Sequence, residues 1–448
     1  MKHNYFSLLM MILMIDANLS AQSTTTLSQA INSAFNNRKN IQAGKIDIEI
    51  QQLKTKALFK KYTPLVSAEY NYNYNPILQS SVIPVGKFNP TLPSDATTII
   101  QFGTTWAQSA GITATQPLFD ATIKRQINEN RLQEKITSAS QAQTEYELAY
   151  EVSKSYVNVW LQQQQIKDAI IDTSRTWISY QSQLENYNYG RLLKSELNVA
   201  IINHNNTKQQ LTDATIQLVE NKIYLMYLTG MLANDVNDFN IDASFFMNSN
   251  LLLVDTKIIL DSIPVFRQLN FQQQLSLLQQ QTEKSKYIPI ASLKGFLGAN
   301  QYSNDFNPVK SNSWFGYSYI GFNLKFPVLT GDDTRNKIKQ LQLQSQQYSI
   351  QLDDKSAQLN QESATAQLEL SRLKLQLKTQ QDNVNLYKET LKILQDRFKE
   401  EQITANELNR QENELEKVLS EYQSTKAKAW LFGLSYLNAT GKLSKLWK

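Results

Sequence analysis

The sequence predicts an α+β membrane protein with an internal twofold repeat, in which each copy carries two strands followed by a very long helical hairpin. The copies are marked by the prolines that end each strand pair, Pro117 and Pro327, and by the glycines that close each copy, Gly230 and Gly441. The prolines lie 210 residues apart and the glycines 211. A repeat of this length indicates a unit that packs against its own duplicate.

Long stretches without proline or glycine predict the helices. Neither residue occurs between Pro117 and Gly190, or between Gly331 and Gly433. A helix of about 70 residues is about 105 Å long, which exceeds a compact domain of this size. Apolar and small residues then recur on one helical face in the first copy, at Tyr146, Ala149, Tyr150, Ser153, Val157 and Trp160. In the second copy they recur every seven residues, at Leu352, Leu359, Ala366 and Leu373. These thin stripes are typical of coiled-coil contacts between long helices.

Strict alternation of apolar and polar residues predicts the strands. They cover about 64–75 and 102–118 in the first copy, and about 289–302 and 314–327 in the second. Each is long enough to cross a bilayer as a tilted strand of about 9–11 residues, and aromatic residues gather toward the strand ends. A soluble hairpin with aromatic pairs is the alternative. The proline-rich stretch of about 76–100 is predicted to be a loop.

Four strands cannot close a barrel, because the smallest membrane barrels have about eight and an open sheet edge is not tolerated in lipid. Membrane-spanning strands therefore require several chains to pool them. This argument excludes a monomer and leaves a dimer, a trimer or a larger ring open.

The predicted boundaries follow the repeat. Residues 1–21 form a basic and then apolar signal peptide that ends at a small-residue cleavage site. The first repeat covers 22–230 and the second 257–441, with a tail at 442–448. The connector at 231–256 is expected to pack on the outside of the helices, or to carry a short strand or helix.

The composition of the chain excludes several classes of function. Apolar residues make up 41% of the chain and the mean hydropathy is −0.42, which is too polar for a helical membrane bundle. The 45 basic and 40 acidic residues form no basic stripe, so nucleic acid is not an expected partner. The chain has no cysteine, and therefore no site for lipid attachment. After loss of the signal peptide, His204 is the only histidine, so no metal, cofactor or catalytic site is expected.

The two hairpin turns carry the most informative local pattern. The first, at 187–197, contains Tyr187, Gly190, Leu192, Glu196 and Leu197. The second, at 398–408, contains Phe398, Ile403, Glu407 and Leu408, with Glu401 in place of a glycine. With the order of strands and helices, these turns make the chain resemble the TolC family of outer-membrane channel proteins.

The resemblance implies a homotrimer. Twelve pooled strands, four per chain, would form an outer-membrane β-barrel continuous with a long periplasmic α-helical coiled-coil barrel. The function implied is the exit duct of a tripartite efflux or type I secretion system, gated at its periplasmic tips. A periplasmic adaptor protein and an inner-membrane transporter would be its partners. A periplasmic adaptor and a coiled-coil envelope tether are the alternative functions.

The resemblance also assigns the candidate residues, all of them at the turns. It places adaptor docking at the exposed turns, and turn geometry alone is the alternative explanation. The docking residues are Gly190, Arg191, Leu192, Ile403 and Thr404. The resemblance places Glu407 and Arg410 at the aperture of the tip, with Glu196 as the first-copy equivalent of Glu407. A ring of like charges would select ions, whereas a Glu407–Arg410 pair would neutralise it.

Overall fold

The computed structural model describes residues 24–231, 236, 239–247, 258–306, 314–327, 331–400 and 402–447. The predicted signal peptide and Glu401 lie outside these residues, as does most of the predicted connector. Among the described residues, no helix combines the length and the apolar composition needed to cross a membrane.

Seven helices are described, two of which pair into long hairpins with the helices that follow them. Their bounds are α1 Leu27–Asn37, α2 Lys39–Phe59, α3 Ala121–Asn188, α4 Lys194–Thr229, α5 Pro264–Ser285, α6 Gly331–Lys399 and α7 Ala405–Ala439. Local signals set several ends. Thr26 caps α1 by accepting the Gln29 backbone N–H at 3.2 Å, Pro264 occupies the first position of α5, and Gly230 ends α4 at φ +73°.

Eight strands are described, in three sheets. Their bounds are β1 Thr24–Thr25, β2 Leu65–Tyr74, β3 Gln79–Ile83, β4 Thr98–Phe102, β5 Trp106–Phe119, β6 Asn240–Ile241, β7 Ile290–Ser303 and β8 Trp314–Lys325. The largest sheet has the order β2-β5-β7-β8 and is antiparallel throughout. This confirms the predicted fold class of two strand pairs and two long helical hairpins, while closure of a barrel is not visible in one chain.

The proline-rich stretch predicted to be a loop contains structure of its own. β3 and β4 pair within it, antiparallel, from Gln79 opposite Phe102 to Ile83 opposite Thr98. The prediction of a plain loop was wrong because the prolines flank these strands rather than interrupt them: Pro84 directly follows β3, and none lies within β4.

The chain forms two compact units, and each predicted repeat contributes to both. The first unit comprises the described residues within 1–47, 137–269 and 350–448. Its core contains the stripe predicted on α3, where Tyr146, Ala149, Val157 and Trp160 are all buried. Phe246, from the predicted connector, stacks on Trp160 with ring centroids 4.5 Å apart. The described part of the connector thus holds both a short strand and a 3-10 helix, packed on the helices.

The second unit comprises residues 48–136 and 270–349 and contains the four-stranded sheet. Polar contacts join the helix segments of this unit. Arg125 donates to Gln281 at 2.9 Å, and Gln51 donates to Asn130 at 3.2 Å. Thr282 hydrogen-bonds the Glu129 carboxylate, whose pKa burial raises above its ordinary value.

Candidate functional site: the hairpin turns and the sheet faces

The first hairpin turn reverses the chain at Gly190, where φ is +74°. The Gly190 N–H donates to the Tyr187 carbonyl, and the Arg191 N–H donates to the Asn186 carbonyl, both at 2.9 Å. The Arg191 guanidinium carbon lies 5.6 Å from the centroid of the Tyr189 ring. The turn therefore presents a glycine, a cation and an aromatic ring, all solvent-exposed.

The first turn of α4 is fixed by Glu196. Its carboxylate accepts the Leu193 backbone N–H at 3.0 Å, which satisfies a donor that the helix start leaves unpaired. Glu196 is exposed, and Leu192 beside it is half-buried. The structure thus gives Glu196 a local capping function in addition to the one that the resemblance implies.

The second hairpin turn is fixed by Thr404. Its hydroxyl accepts the Glu407 backbone N–H at 3.3 Å and so caps α7. Ile403 is half-buried, whereas Glu407 and Arg410 are both exposed. Among the ion pairs of the described residues, none joins Glu407 to Arg410, so the predicted neutralising pair is not formed.

A groove of about 980 Å³ in the first unit runs beside both turns. It brings Leu192, Glu196 and Val199 of the first hairpin together with Phe398 and Leu408 of the second. Four of these residues, all but Val199, belong to the turns predicted from the sequence, whereas the sharing of one groove by the two hairpins was not predicted.

An ion-pair cluster between the hairpins was not predicted. Arg175 of α3 donates to Asp172 at 2.6 Å, and to Glu416 of α7 at 2.8 Å. Burial, then a hydrogen bond from Asp172, raises the pKa of Glu416 to about 8. Burial also raises the pKa of Asp168, one helical turn before Asp172, to about 6. The cluster therefore places the Asp172 and Glu416 carboxylates on one guanidinium, with the Asp168 carboxylate one helical turn away on α3.

The four-stranded sheet has two chemically different faces. One face carries the charged residues of these strands, Glu69, Lys294 and Lys325, among Ser, Thr and Asn residues. The other face carries no charge and is rich in Val, Ile, Leu and aromatic side chains, including Ile320 and Phe322. Within the part of the chain that the structure describes, β2 and β8 are the two edge strands, each paired on one side only.

Comparison with known proteins bears on this architecture. A scan against protein-family models finds no match, and a search of curated proteins finds none either. Among solved structures, CusC matches with a TM-score of 0.71 and 16% identity, over 93% of this chain and 92% of its own. That structure is described in terms of transmembrane channel formation. The chain has the fold of an outer-membrane channel.

Other channels match to a similar extent. The CmeC outer-membrane channel of Campylobacter jejuni matches with a TM-score of 0.70 and 14% identity, over 93% of this chain and 85% of its own. The outer-membrane protein VceC of Vibrio cholerae matches with a TM-score of 0.69 and 11% identity, over 93% of this chain and 96% of its own. The fold implied by the sequence resemblance is thereby confirmed over nearly the whole chain.

Proposed function

We propose that this chain is the outer-membrane exit duct of a tripartite efflux or type I secretion system. The observation that carries the proposal is the four-stranded sheet, with one apolar face, one polar face and two unpaired edges. In lipid every backbone polar group needs a partner within the protein, so the edges must be paired by other copies. The similar solved structures are outer-membrane channels, which supports the same use of the fold.

The proposed assembly is a homotrimer whose twelve strands close into a barrel. β2 of one copy would pair with β8 of the next, so that the apolar face meets lipid and the charged face lines water. The long hairpins would extend into the periplasm and form a coiled-coil tunnel there. The duct is passive and is not an enzyme; an inner-membrane transporter supplies the energy.

The tips of the two hairpins would contain the contacts with the adaptor protein and the gate of the channel. Gly190, Arg191 and Leu192, with Ile403 and Thr404, would receive a periplasmic adaptor protein, because exposed turns held by rigid helices suit recognition. Glu407 and Arg410 are exposed and do not pair with each other within the chain. In the proposed trimer they would face the aperture, with Glu196 supporting the neighbouring turn.

Single-channel recording tests the proposal. Purified protein in a planar bilayer should give discrete openings, and Glu407→Ala with Arg410→Ala should give a larger conductance because it removes side chains from the constriction. Glu412→Ala, on the same helix at the groove, is the matched control and should leave the conductance unchanged. Absence of openings, with protein that fractionates as soluble periplasmic material, would refute the channel.

A further inference from the structure

The same four-residue pattern precedes one strand of the large sheet in each predicted repeat. The pattern, lysine, tyrosine, any residue and proline, occupies residues 61–64 directly before β2 and residues 286–289 directly before β7. Another lysine lies just before each pattern, Lys60 in the first repeat and Lys284 in the second. We call each pattern, together with its extra lysine, a lysine–tyrosine junction. Neither the pore wall nor the hairpin tips explain why both junctions share this composition.

Both junctions lie at the edge of the sheet that adjoins the long helices. β5 runs antiparallel to β2 and to β7, so these two strands both start beside the end of β5. Leu65 at the start of β2 pairs with Thr115, and Ala291 near the start of β7 pairs with Phe119. α2 ends directly before the first junction, and Lys284 lies in the last turn of α5. The junctions are therefore the points at which two helices give way to strands.

The uncharged face of the sheet is exposed as far as this edge. Phe119 at the end of β5 is 53% exposed, and the junction residues Tyr62 and Tyr287 are 40% and 50% exposed. The Gln116 side chain, which shares the uncharged face with Phe322, donates to the Tyr62 carbonyl at 2.6 Å. The first junction is thus bound to the sheet from its uncharged face.

The junctions carry positive charge that the chain does not neutralise. Lys286 pairs with Glu283 at 2.6 Å, and Lys61 donates to the neutral Gln126 amide at 3.0 Å. The junctions themselves contain no acidic residue. Three exposed lysines of the junctions take part in none of the ion pairs found among the described residues: Lys60, Lys61 and Lys284.

The two edges of the sheet differ in charge. At the helical edge, the six residues adjoining each of the four strands include six basic residues in all and one acidic residue, Asp120. The Asp120 carboxylate accepts the backbone N–H and the hydroxyl of Thr122, at 2.8 and 2.6 Å. The corresponding stretches at the opposite edge include one basic and one acidic residue. The positive charge is therefore concentrated at the edge that holds the junctions.

We propose that the lysine–tyrosine junctions bind the phosphate groups of anionic glycerophospholipids, in the membrane leaflet nearer the long helices. The site rests on the proposed function, because only a membrane-spanning sheet brings the junctions to lipid. Hydrocarbon then covers the uncharged face as far as Phe119, and the junctions lie at the level of the headgroups. Tyrosine rings favour that level. Lysine keeps its stem on apolar surface while its ammonium group reaches an anionic headgroup.

The alternative position for these lysines is the wall of the pore. The contact between Gln116 and Tyr62 argues against it, because Gln116 lies on the face opposite to the charged one. The two lysines that do lie on the charged face, Lys294 and Lys325, belong to the strands themselves and not to the junctions.

Thermal unfolding of the detergent-extracted protein tests the site with two lipids, dioleoylphosphatidylglycerol and dioleoylphosphatidylcholine. They share acyl chains and differ in headgroup charge, so the anionic lipid should raise the thermal midpoint at the lower concentration. For Lys60→Gln with Lys284→Gln, the concentration of anionic lipid giving half of this rise should increase about thirtyfold, at about fivefold for each lysine. The response to phosphatidylcholine should stay unchanged. Lys388→Gln with Lys392→Gln is the matched control, because it removes two exposed lysines of α6 in the first unit.

Single-channel recording separates this site from the proposed function. In open channels, the variant at Lys60 and Lys284 should keep the conductance and the ion preference of wild type. A changed ion preference with an unchanged response to phosphatidylglycerol places the lysines in the pore and overturns the site. A lysine-dependent rise of the midpoint with inorganic phosphate alone overturns the assignment to lipid. A lysine-dependent preference for phosphatidylglycerol in a protein that never opens refutes the pore and leaves the site standing.

Discussion

Replacing Arg175 by Met should loosen the contact between the two hairpins. Arg175 is the only cation that the structure places within ion-pair distance of Asp172 and Glu416 among the described residues. The Met side chain keeps much of the apolar stem but removes both charged hydrogen bonds. Two half-buried carboxylates then face each other across α3 and α7 without a compensating charge.

The magnitude follows from burial. The Arg175 and Glu416 side chains are 16% and 15% exposed, so the pair lies between a surface pair and a fully buried one. Exposed pairs contribute about 0–1 kcal/mol, and loss of one partner of a buried pair costs about 3–5 kcal/mol. Because Glu416 retains a proton readily, the penalty falls below the buried value, and we expect about 2 kcal/mol.

Hydrogen exchange at the backbone amides around Arg175 and Glu416 measures this loss. A loss of about 2 kcal/mol corresponds to exchange about thirtyfold faster, when exchange reports local opening. Arg372→Met is the control, because Arg372 is 61% exposed and pairs with Glu369 within the same helix. If both variants exchange equally fast at their own sites, the argument from burial is wrong.

Two further predictions concern the pH and the turns. Since burial raises the pKa of Glu416 to about 8, the folded chain binds this proton more tightly than the unfolded chain does. Stability should therefore fall as the pH rises from about 5 to about 8, and in Glu416→Gln urea unfolding should show a flatter pH dependence. Gly190→Ala and Gly441→Ala both force alanine to φ near +75°, at a cost of about 1–2 kcal/mol. Gly441→Ala should lower the thermal midpoint more than Gly190→Ala does. The new Cβ at 441 would lie 2.8 Å from the Ile259 carbonyl oxygen, whereas nothing lies within 4 Å of a Cβ at 190. Equal decreases in the thermal midpoint would contradict this prediction.

The sequence revealed those parts of the fold that depend on neighbours in the chain. Stretches free of proline and glycine predict long helices, and alternation predicts strands, because both patterns repeat within a few residues. The Arg175–Glu416 contact joins positions 241 residues apart, and no local pattern marks it. The Glu407–Arg410 spacing permits a pair on a helix face, yet Glu407 lies in the first turn of α7, where its backbone is bound to Thr404 and both side chains remain exposed.

The Gly111–Gly298 pair shows the same limit within the sheet. Alternation tells which residues of one strand share a face, but it does not tell which residues of two strands lie side by side. Only the register places Glu69, Gly111, Gly298 and Tyr317 in one row. Read along the chain, Gly111 and Gly298 are ordinary weak points in their strands. Placed side by side, they leave the space that the tip of the Phe296 ring occupies, because a Cβ atom on Gly111 or Gly298 would lie 2.4 or 2.6 Å from that ring.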